Sequence, residues 1–401
     1  MKVIILAAAP SERLLPFTQN RAKPMIRVAG QSILETMTQS LHTAGITDIV
    51  MVVNHKSDSI RSVFQHGHHL GLSIEYVTQD PLDGIGGAVA RCREKIQDEA
   101  FLLLYGDILA TGPIFERLMD QYMESGRAVA ALSLPASSQD FGNVYLDPDM
   151  KISQLVEKPQ NPQLSNYVFA GAFLLPSSFF DVLERSGRDM EKSYQELIQK
   201  KALSGTIWEG EWIDVRQPWH ILEANKILMS KWQHAVVHKS VRLEGHVEIT
   251  GPVHIDENVT IGSGSVLKGP CYIGKNCYIG NNTLIRSYTS LGPDSTVGYG
   301  TEMKNAVLLG SSIIGRLSFI GDSVIGERVH LGTGVTTVNI NPDGSDVVLK
   351  GGKEPQQTGL KKLGSFIGDD SHIGVRQVLA PGTLLGTGFE CEDMITLEMK
   401  E

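Results

Sequence analysis

Residues 255–310 read IDENVTIGSGSVLKGPCYIGKNCYIGNNTLIRSYTSLGPDSTVGYGTEMKNAVLLG. An apolar side chain returns at every sixth position: Ile255, Ile261, Leu267, Ile273, Ile279, Ile285, Leu291, Val297, Met303 and Leu309. A period of six is neither the 3.6 of a helix nor the 2 of a simple strand. It is the repeat of a parallel β-helix, in which three hexads close one triangular coil. Each apolar residue is expected to point into the prism. The glycines that follow many of them, as in Ile261-Gly262 and Ile273-Gly274, are expected at corners that need φ > 0. After slips the pattern resumes at Ile314-Gly315, Ile320-Gly321, Ile325-Gly326 and Leu331-Gly332, and again at Ile367-Gly368, Ile373-Gly374, Leu379 and Leu385-Gly386. Thr336 to Leu363 breaks it and reads as an inserted loop, functional or disordered. Cys271 and Cys277 fall on equivalent positions, and two thiols are too few for a zinc site. A β-helix prism offers a flat face, so a homo-oligomer, a trimer at its core, is expected.

The first half of the chain is organised differently. Val3–Ala8 is a short apolar run, read as a buried parallel strand that stops at Ala9-Pro10-Ser11. Arg13, Arg21 and Lys23 follow closely. A strand followed by a cationic loop is how an α/β sheet presents an anion site, although a solvated basic loop reads the same way. Ile33–Ala44, Ser57–Gln65 and Gly86–Asp98 have helical patterns. Asp48–Val53, Ile74–Val77, Ala100–Leu104, Ala128–Leu132, Val144–Leu146 and Phe169–Leu175 read as strands. Such alternation predicts a Rossmann-like α/β domain with a mostly parallel sheet over residues 1–232. A helix over Pro218–Trp232 leads out of it into a left-handed parallel β-helix over 233–401, with the inserted loop near 336–363.

At 401 residues, with a net charge of −9, the chain is not built as a general nucleic-acid binder, so any anion site must be local. No apolar run reaches about 18 residues, so no membrane span is expected. Val3–Ala8 is too short for a signal peptide. Four sparse cysteines without a C-x-x-C pair fit free thiols in a reducing cytoplasm.

Four features converge in the first domain: the opening loop with Arg13 and Lys23; Gln79 followed by Gly84-Ile85-Gly86-Gly87-Ala88; Gly106-Asp107 just past a buried strand; and Glu157-Lys158-Pro159 with Trp212-Ile213-Asp214 further on. Each Asp alone is more often a turn residue. In this order they resemble the sugar-1-phosphate nucleotidylyltransferases, whose opening pattern is L-A-A-G-x-G-x-R-L-x-P-L-T-x-x-x-P-K-P. Leu6-Ala7-Ala8, Arg13-Leu14, Pro16, Thr18 and Lys23-Pro24 match it, as do Gly142, Gly171 and Leu222-Glu223-Ala224-Asn225-Lys226 later. With the β-helix attached, the whole chain resembles the archaeal-type enzymes that join a nucleotidylyltransferase to a β-helix acetyltransferase.

The resemblance implies attack of a sugar 1-phosphate on the α-phosphate of an NTP, with UTP or dTTP favoured and Mg²⁺ assisting. By motif position, Arg13 would stabilise the departing pyrophosphate and Lys23 the α-phosphate. Leu6, Ala8, Ala9, Gln79, Gly84 and Gly106 would hold the nucleotide, with Gln79 and Gly84 on the base. Gly142, Glu157, Lys158 and Gly171 would hold the sugar phosphate, and Asp107 and Asp214 the metal. The opening loop departs from the pattern, with Ala9 and Ser11 in place of two glycines and Pro10 between them. Ala22 replaces a Pro, Ile85 a Thr, and Arg216 a Gly. In the β-helix the acetyltransferase segment G-H-L-[ST]-Y-[LIV]-G-D reads Gly315-Arg316-Leu317-Ser318-Phe319-Ile320-Gly321-Asp322, so Arg316 stands at the catalytic His. Arginine stays protonated at neutral pH and is no general base. A second ligand site would be built from Lys304, Arg316 and Asn339, and acetyl-CoA would be its donor. The expectation is a β-helix that assembles the oligomer and is weak or inactive in acetyl transfer. Two rivals stand beside this: a non-catalytic homologue that binds sugar nucleotides, and a hexapeptide acyltransferase using His330 or His372.

Overall fold

The computed structural model describes residues 1–54, 57–110, 112–134, 142–156, 167–352 and 354–391. The chain folds as two compact units. The first comprises residues 1–10, 21–25 and 33–215, and the second comprises 11–20, 26–32 and 216–401.

The first unit begins with β1 (Val3–Leu6), α1 (Ile33–Thr43), β2 (Asp48–Val53), α2 (Asp58–Phe64), β3 (Ser73–Thr78), α3 (Gly84–Ala90) and β4 (Ala100–Tyr105). It continues through β5 (Ile108–Ala110), α4 (Ile114–Ser125), β6 (Ala128–Ser133), β7 (Asn143–Leu146), β8 (Ile152–Val156), β9 (Tyr167–Pro176), α5 (Phe179–Arg185), α6 (Met190–Gln199), β10 (Leu203–Ile207) and β11 (Trp212–Asp214). The main sheet runs β8-β7-β9-β4-β1-β2-β3, and β6 pairs with β9 and β10. Among the described strands of this sheet only β8 and β9 run against the rest, so the sheet is mostly parallel. Alternate residues of the apolar strands feed cores on opposite faces. Val3, Ile5, Met51 and Leu104 pack with Leu34 and Met37 of α1. Ile4, Val52 and Leu103 pack with Val89, Phe173 and Tyr194. The helices α4, α5 and α6 and strand β10 lie where the sequence signalled none, and the helix expected over Gly86–Asp98 ends at Ala90. Because β1 sits between β2 and β4, the chain leaves it on one side and returns on the other. The crevice beyond its carboxyl end is the switch point where open α/β sheets bind ligands.

In the second unit three stacks of two- to four-residue parallel strands form the prism of a left-handed β-helix. The inward column of one stack is Ile255, Ile273, Leu291, Leu308, Ile325, Ile367 and Leu385. The step is 18 residues up to Leu291 and 17 from Leu291 to Leu308, which is the slip in the six-fold pattern. Leu308, and not the expected Leu309, is therefore the inward residue at that level.

The glycines after the apolar residues also have a different reason from the one expected. Gly274, Gly280 and Gly298 do not adopt positive φ. A Cβ on Gly274 would stand 2.8 Å from the backbone carbonyl of Leu291 one coil on, and one on Gly280 would stand 2.7 Å from the amide of Tyr299. The positive-φ corners fall to Asn258, Asn276, Asn282, Asp294 and Gly300, residues that tolerate the left-handed region. The interrupted stretch leaves the coil and folds back as an antiparallel pair, Val348–Leu349 with Gln356–Gln357, with Val347 and Leu349 buried. Helix α7 (His220–Met229) belongs to this unit and is shorter at both ends than Pro218–Trp232.

Candidate active site

Lys23 sits on a 3-10 turn, and its ammonium is buried between two carboxylates. Its Nζ donates to Asp107 Oδ2 at 2.5 Å and lies 3.5 Å from Asp214 Oδ1. The two acids come together through a short ribbon. β5 pairs antiparallel with β11, placing Asp214 opposite Ile108, and the Val215 amide donates to the Asp107 carbonyl at 3.2 Å. One cation between two carboxylates leaves the buried cluster with a formal excess negative charge, and hard oxygen donors of this kind suit a divalent cation. Among the described residues no three acidic, His or Cys side chains converge, so two protein carboxylates are what such a cation would find.

The carboxyl end of β1 borders this cluster. The Gly106 amide donates to the Leu6 carbonyl at 2.9 Å, and a Cβ on Gly106 would lie 2.7 Å from that oxygen. Only glycine lets the two strand ends close up. Asn54 donates to the Ala8 carbonyl at 2.8 Å, while Ala9 and Pro10 are exposed. Gly171 adopts φ +75 inside β9, against Tyr105 and Ile108, at a register break in the pairing with β6.

Gln79 follows β3 and is buried. Its Nε2 donates to Asp83 Oδ1 at 2.9 Å and to the Gly84 carbonyl at 2.8 Å. Both partners are pure acceptors, so the amide is oriented and its oxygen remains as an acceptor. Asp83 is locked in turn by Arg91, whose Nη1 stands 2.8 Å from both carboxylate oxygens. The hydrogen bond from Gln79 and then that from Arg91 hold the Asp83 carboxyl below its usual range. Gly84 adopts φ +87, and a Cβ on Gly86 would collide with the Arg188 carbonyl. The sequence singled out Gln79 and Gly84 but missed Asp83 and Arg91, whose eight-residue spacing across a turn and a helix carries no periodic signal.

Arg13 belongs to the second unit. It lies exposed on a single 3-10 turn, Glu12–Leu14, whose Leu14 is fully buried. Gly142 is half-buried before β7. Glu157 and Lys158 lie outside the described residues.

In the β-helix, Asp322 is buried and accepts from Asn305 at 2.6 Å and from Asn339 at 2.5 Å, and its amide donates to the Lys304 carbonyl. Lys304 and Asn339 thus gather around one corner. Arg316 is exposed elsewhere, on an open groove of about 540 Å³ lined by Tyr278, Tyr299 and Ile313. His330 and His372 occupy successive levels of one outer face, their Nδ1 atoms 3.1 Å apart.

A family profile described as Nucleotidyl transferase matches residues 2–231, and one described as GMPPB C-terminal domain matches 267–353. The Bifunctional protein GlmU of Methanocaldococcus jannaschii is 33% identical over 96% of this chain and 92% of its own length. That of Methanococcus maripaludis strain C7 is 38% identical over the same shares. A Sulfurisphaera tokodaii protein named bifunctional sugar-1-phosphate nucleotidylyltransferase/acetyltransferase is 31% identical over 96% of this chain and 94% of its own. A solved chain from Bacillus anthracis, described as a candidate glucose-1-phosphate thymidylyltransferase, shares the fold with a TM-score of 0.53 at 22% identity, over 57% of this chain and 95% of its own.

Proposed function

The chain belongs to the nucleotidyl transferase family, among the sugar-1-phosphate nucleotidylyltransferases, and from that premise we propose that it couples UTP or dTTP to a sugar 1-phosphate. The observation that carries this is Lys23 buried between Asp107 and Asp214 beyond the carboxyl ends of β1 and β4. An oxygen of the sugar phosphate forms a bond to the α-phosphorus while the bond from that phosphorus to the β-phosphate oxygen breaks. The nucleophile is already anionic, so the work is alignment and charge neutralisation rather than proton removal.

Lys23 neutralises the α-phosphate and Arg13 the departing pyrophosphate. Asp107 and Asp214 would hold Mg²⁺ through their carboxylate oxygens, and the ion would offset phosphate charge. The Gln79 oxygen, held as an acceptor, takes a ring N–H from the base. Uracil and thymine offer one at N3 and guanine one at N1, whereas cytosine and adenine offer only a lone pair at the matching nitrogen, so this contact by itself disfavours CTP and ATP. Leu6, Ala8, Ala9, Gly84 and Gly106 line the nucleotide side, and Gly142, Glu157, Lys158 and Gly171 the sugar side. The β-helix contributes assembly and no acetyl transfer, because Arg316 cannot take a proton. No helix among the described residues is long and apolar enough to cross a membrane.

Pyrophosphate release measured over four NTPs and a set of sugar 1-phosphates tests the proposal. Release should need a divalent cation and both substrates, with UTP or dTTP best. Absence of release with every pair would sink it and leave the non-catalytic binder standing.

A further inference from the structure

One outward column of the β-helix carries Tyr278, Thr296, Ile313, His330, His372 and Glu390 on successive rungs. Neighbouring rungs of this column are otherwise 17 or 18 residues apart in the chain, but His330 and His372 are 42 apart. The extra length is the stretch that leaves the coil and folds back as the Val348–Leu349 and Gln356–Gln357 pair. The two histidines therefore stand on the rungs that flank the base of that excursion. Paired strands lie about 4.8 Å apart, yet the imidazoles lean together until their Nδ1 atoms are 3.1 Å apart, with the ring planes at 68°. Both residues are exposed, so an ion reaches them directly from solvent. Their column neighbours are Ile313 and the carboxylate of Glu390, so no cation stands beside them on it. The nearby guanidinium of Arg328 is already paired, its Nε and Nη2 donating to Asp370 at 2.6 and 2.9 Å.

We propose that His330 and His372 form a binding site for a divalent cation of the Zn²⁺ class, which clasps the coil across the excursion. Imidazole nitrogens sit about 2.0–2.1 Å from Zn²⁺, which puts two of them roughly 2.9–3.4 Å apart for angles between about 90° and 110°. The separation of 3.1 Å falls inside that window. Imidazole suits Zn²⁺, Ni²⁺ and Cu²⁺, whereas Mg²⁺ takes oxygen ligands, so this pair and the carboxylates of Asp107 and Asp214 select different ions. Among the described residues no three ligating side chains converge, so water fills the other positions. The Glu390 carboxylate one rung on favours a cation by its charge. The competing reading is a plain Nδ1–H to Nδ1 hydrogen bond, which has no use for a metal. A clasp here closes a 42-residue loop, and closing a long loop restricts the unfolded chain more than closing a short one. An ion that binds only the folded coil then stabilises it by mass action.

The test is calorimetric titration of ZnCl₂ into the metal-stripped, untagged full chain, with Mg²⁺ in excess to occupy oxygen-ligand sites. One Zn²⁺ per chain should bind, and His330→Ala and His372→Ala should each weaken binding at least about tenfold. Both side chains are exposed, so neither variant should lose the fold. Saturating Zn²⁺ should raise the melting temperature of the wild-type chain by at least about 2 °C and move that of neither variant. Absence of any binding, or binding retained in both variants, overturns the site. Binding that needs both histidines but leaves the melting temperature unmoved overturns the clasp. Neither readout involves nucleotidyl transfer, so the proposal stands or falls apart from the reading of the first unit.

Discussion

The ammonium of Lys23 lies 2.5 Å from Asp107 Oδ2, buried at the carboxyl edge of the sheet. Removing the cation leaves Asp107 and Asp214 facing one another in a site that excludes most water. Lys23→Met should therefore lower stability by about 3 kcal/mol, the usual cost of orphaning a buried charge, and lower kcat by a hundredfold or more. Asp107→Asn and Asp214→Asn should each raise the Mg²⁺ concentration needed for half-maximal rate. Denaturant melts and metal titrations of pyrophosphate release check both. Equal metal dependence in wild type and both Asn variants would remove these acids from the metal's coordination.

The orientation of Gln79 depends on Asp83. In Asp83→Ala the amide loses an acceptor and is free to turn, presenting N–H₂ where an oxygen stood. The ratio of kcat/KM for UTP or dTTP over ATP should drop by about tenfold, the value of one hydrogen bond to the base. An unchanged ratio with a lower absolute rate would make Asp83 a purely structural partner.

Ala9 and Ser11 hold Cβ atoms where glycines would let amides approach a phosphate. The double variant Ala9→Gly, Ser11→Gly should raise kcat if this loop limits turnover. Steady-state rates with the best NTP decide it, and a flat response would show that the loop's amides already serve or are not used.

Burial pushes the thiols of Cys92, Cys271 and Cys277 up to about 12. Their thiolate fraction at pH 8 is then on the order of one in ten thousand, and the thiolate is what alkylates. Cys391, only partly buried, should be the one labelled by iodoacetamide in the folded protein. Mass spectrometry that finds rapid labelling at any of the other three without unfolding would contradict their burial.

Gly274 carries no Cβ because the next coil's backbone occupies the space. Gly274→Ala should lower the melting temperature of the β-helix and cost roughly 1–3 kcal/mol, as overpacking does. Gly359→Ala, with nothing within 4 Å but φ +67, should cost no more than about 1 kcal/mol.

The six-residue period disclosed the β-helix because every inward residue is apolar and the levels repeat in register. It misplaced Leu308 by one position, since a 17-residue coil and an 18-residue coil look alike when two leucines stand side by side. It also misjudged the glycines, because contact with the next coil leaves no local trace in composition. The opening strand, Lys23, Asp107 and Asp214 were legible from motif order, but the ribbon joining the two acids was not. Trp212–Asp214 and Ile108–Ala110 are three residues each, too short for a pattern. The contact of Phe17 with Phe366 escaped because an apolar residue in a basic loop says only that it is buried, and Phe366 lies more than three hundred residues away.

The opening motif threads through both units: residues 11–20 fold with the second, 21–25 with the first, and 26–32 with the second again. Asn225 fixes the last of these, accepting from the Ala29 amide and donating to the Tyr288 carbonyl. No single cut in the gene separates such a protein into self-sufficient halves. A fragment ending near residue 232 would carry Phe17 without the Phe366 ring that meets it, and would be sticky in expression for that reason alone.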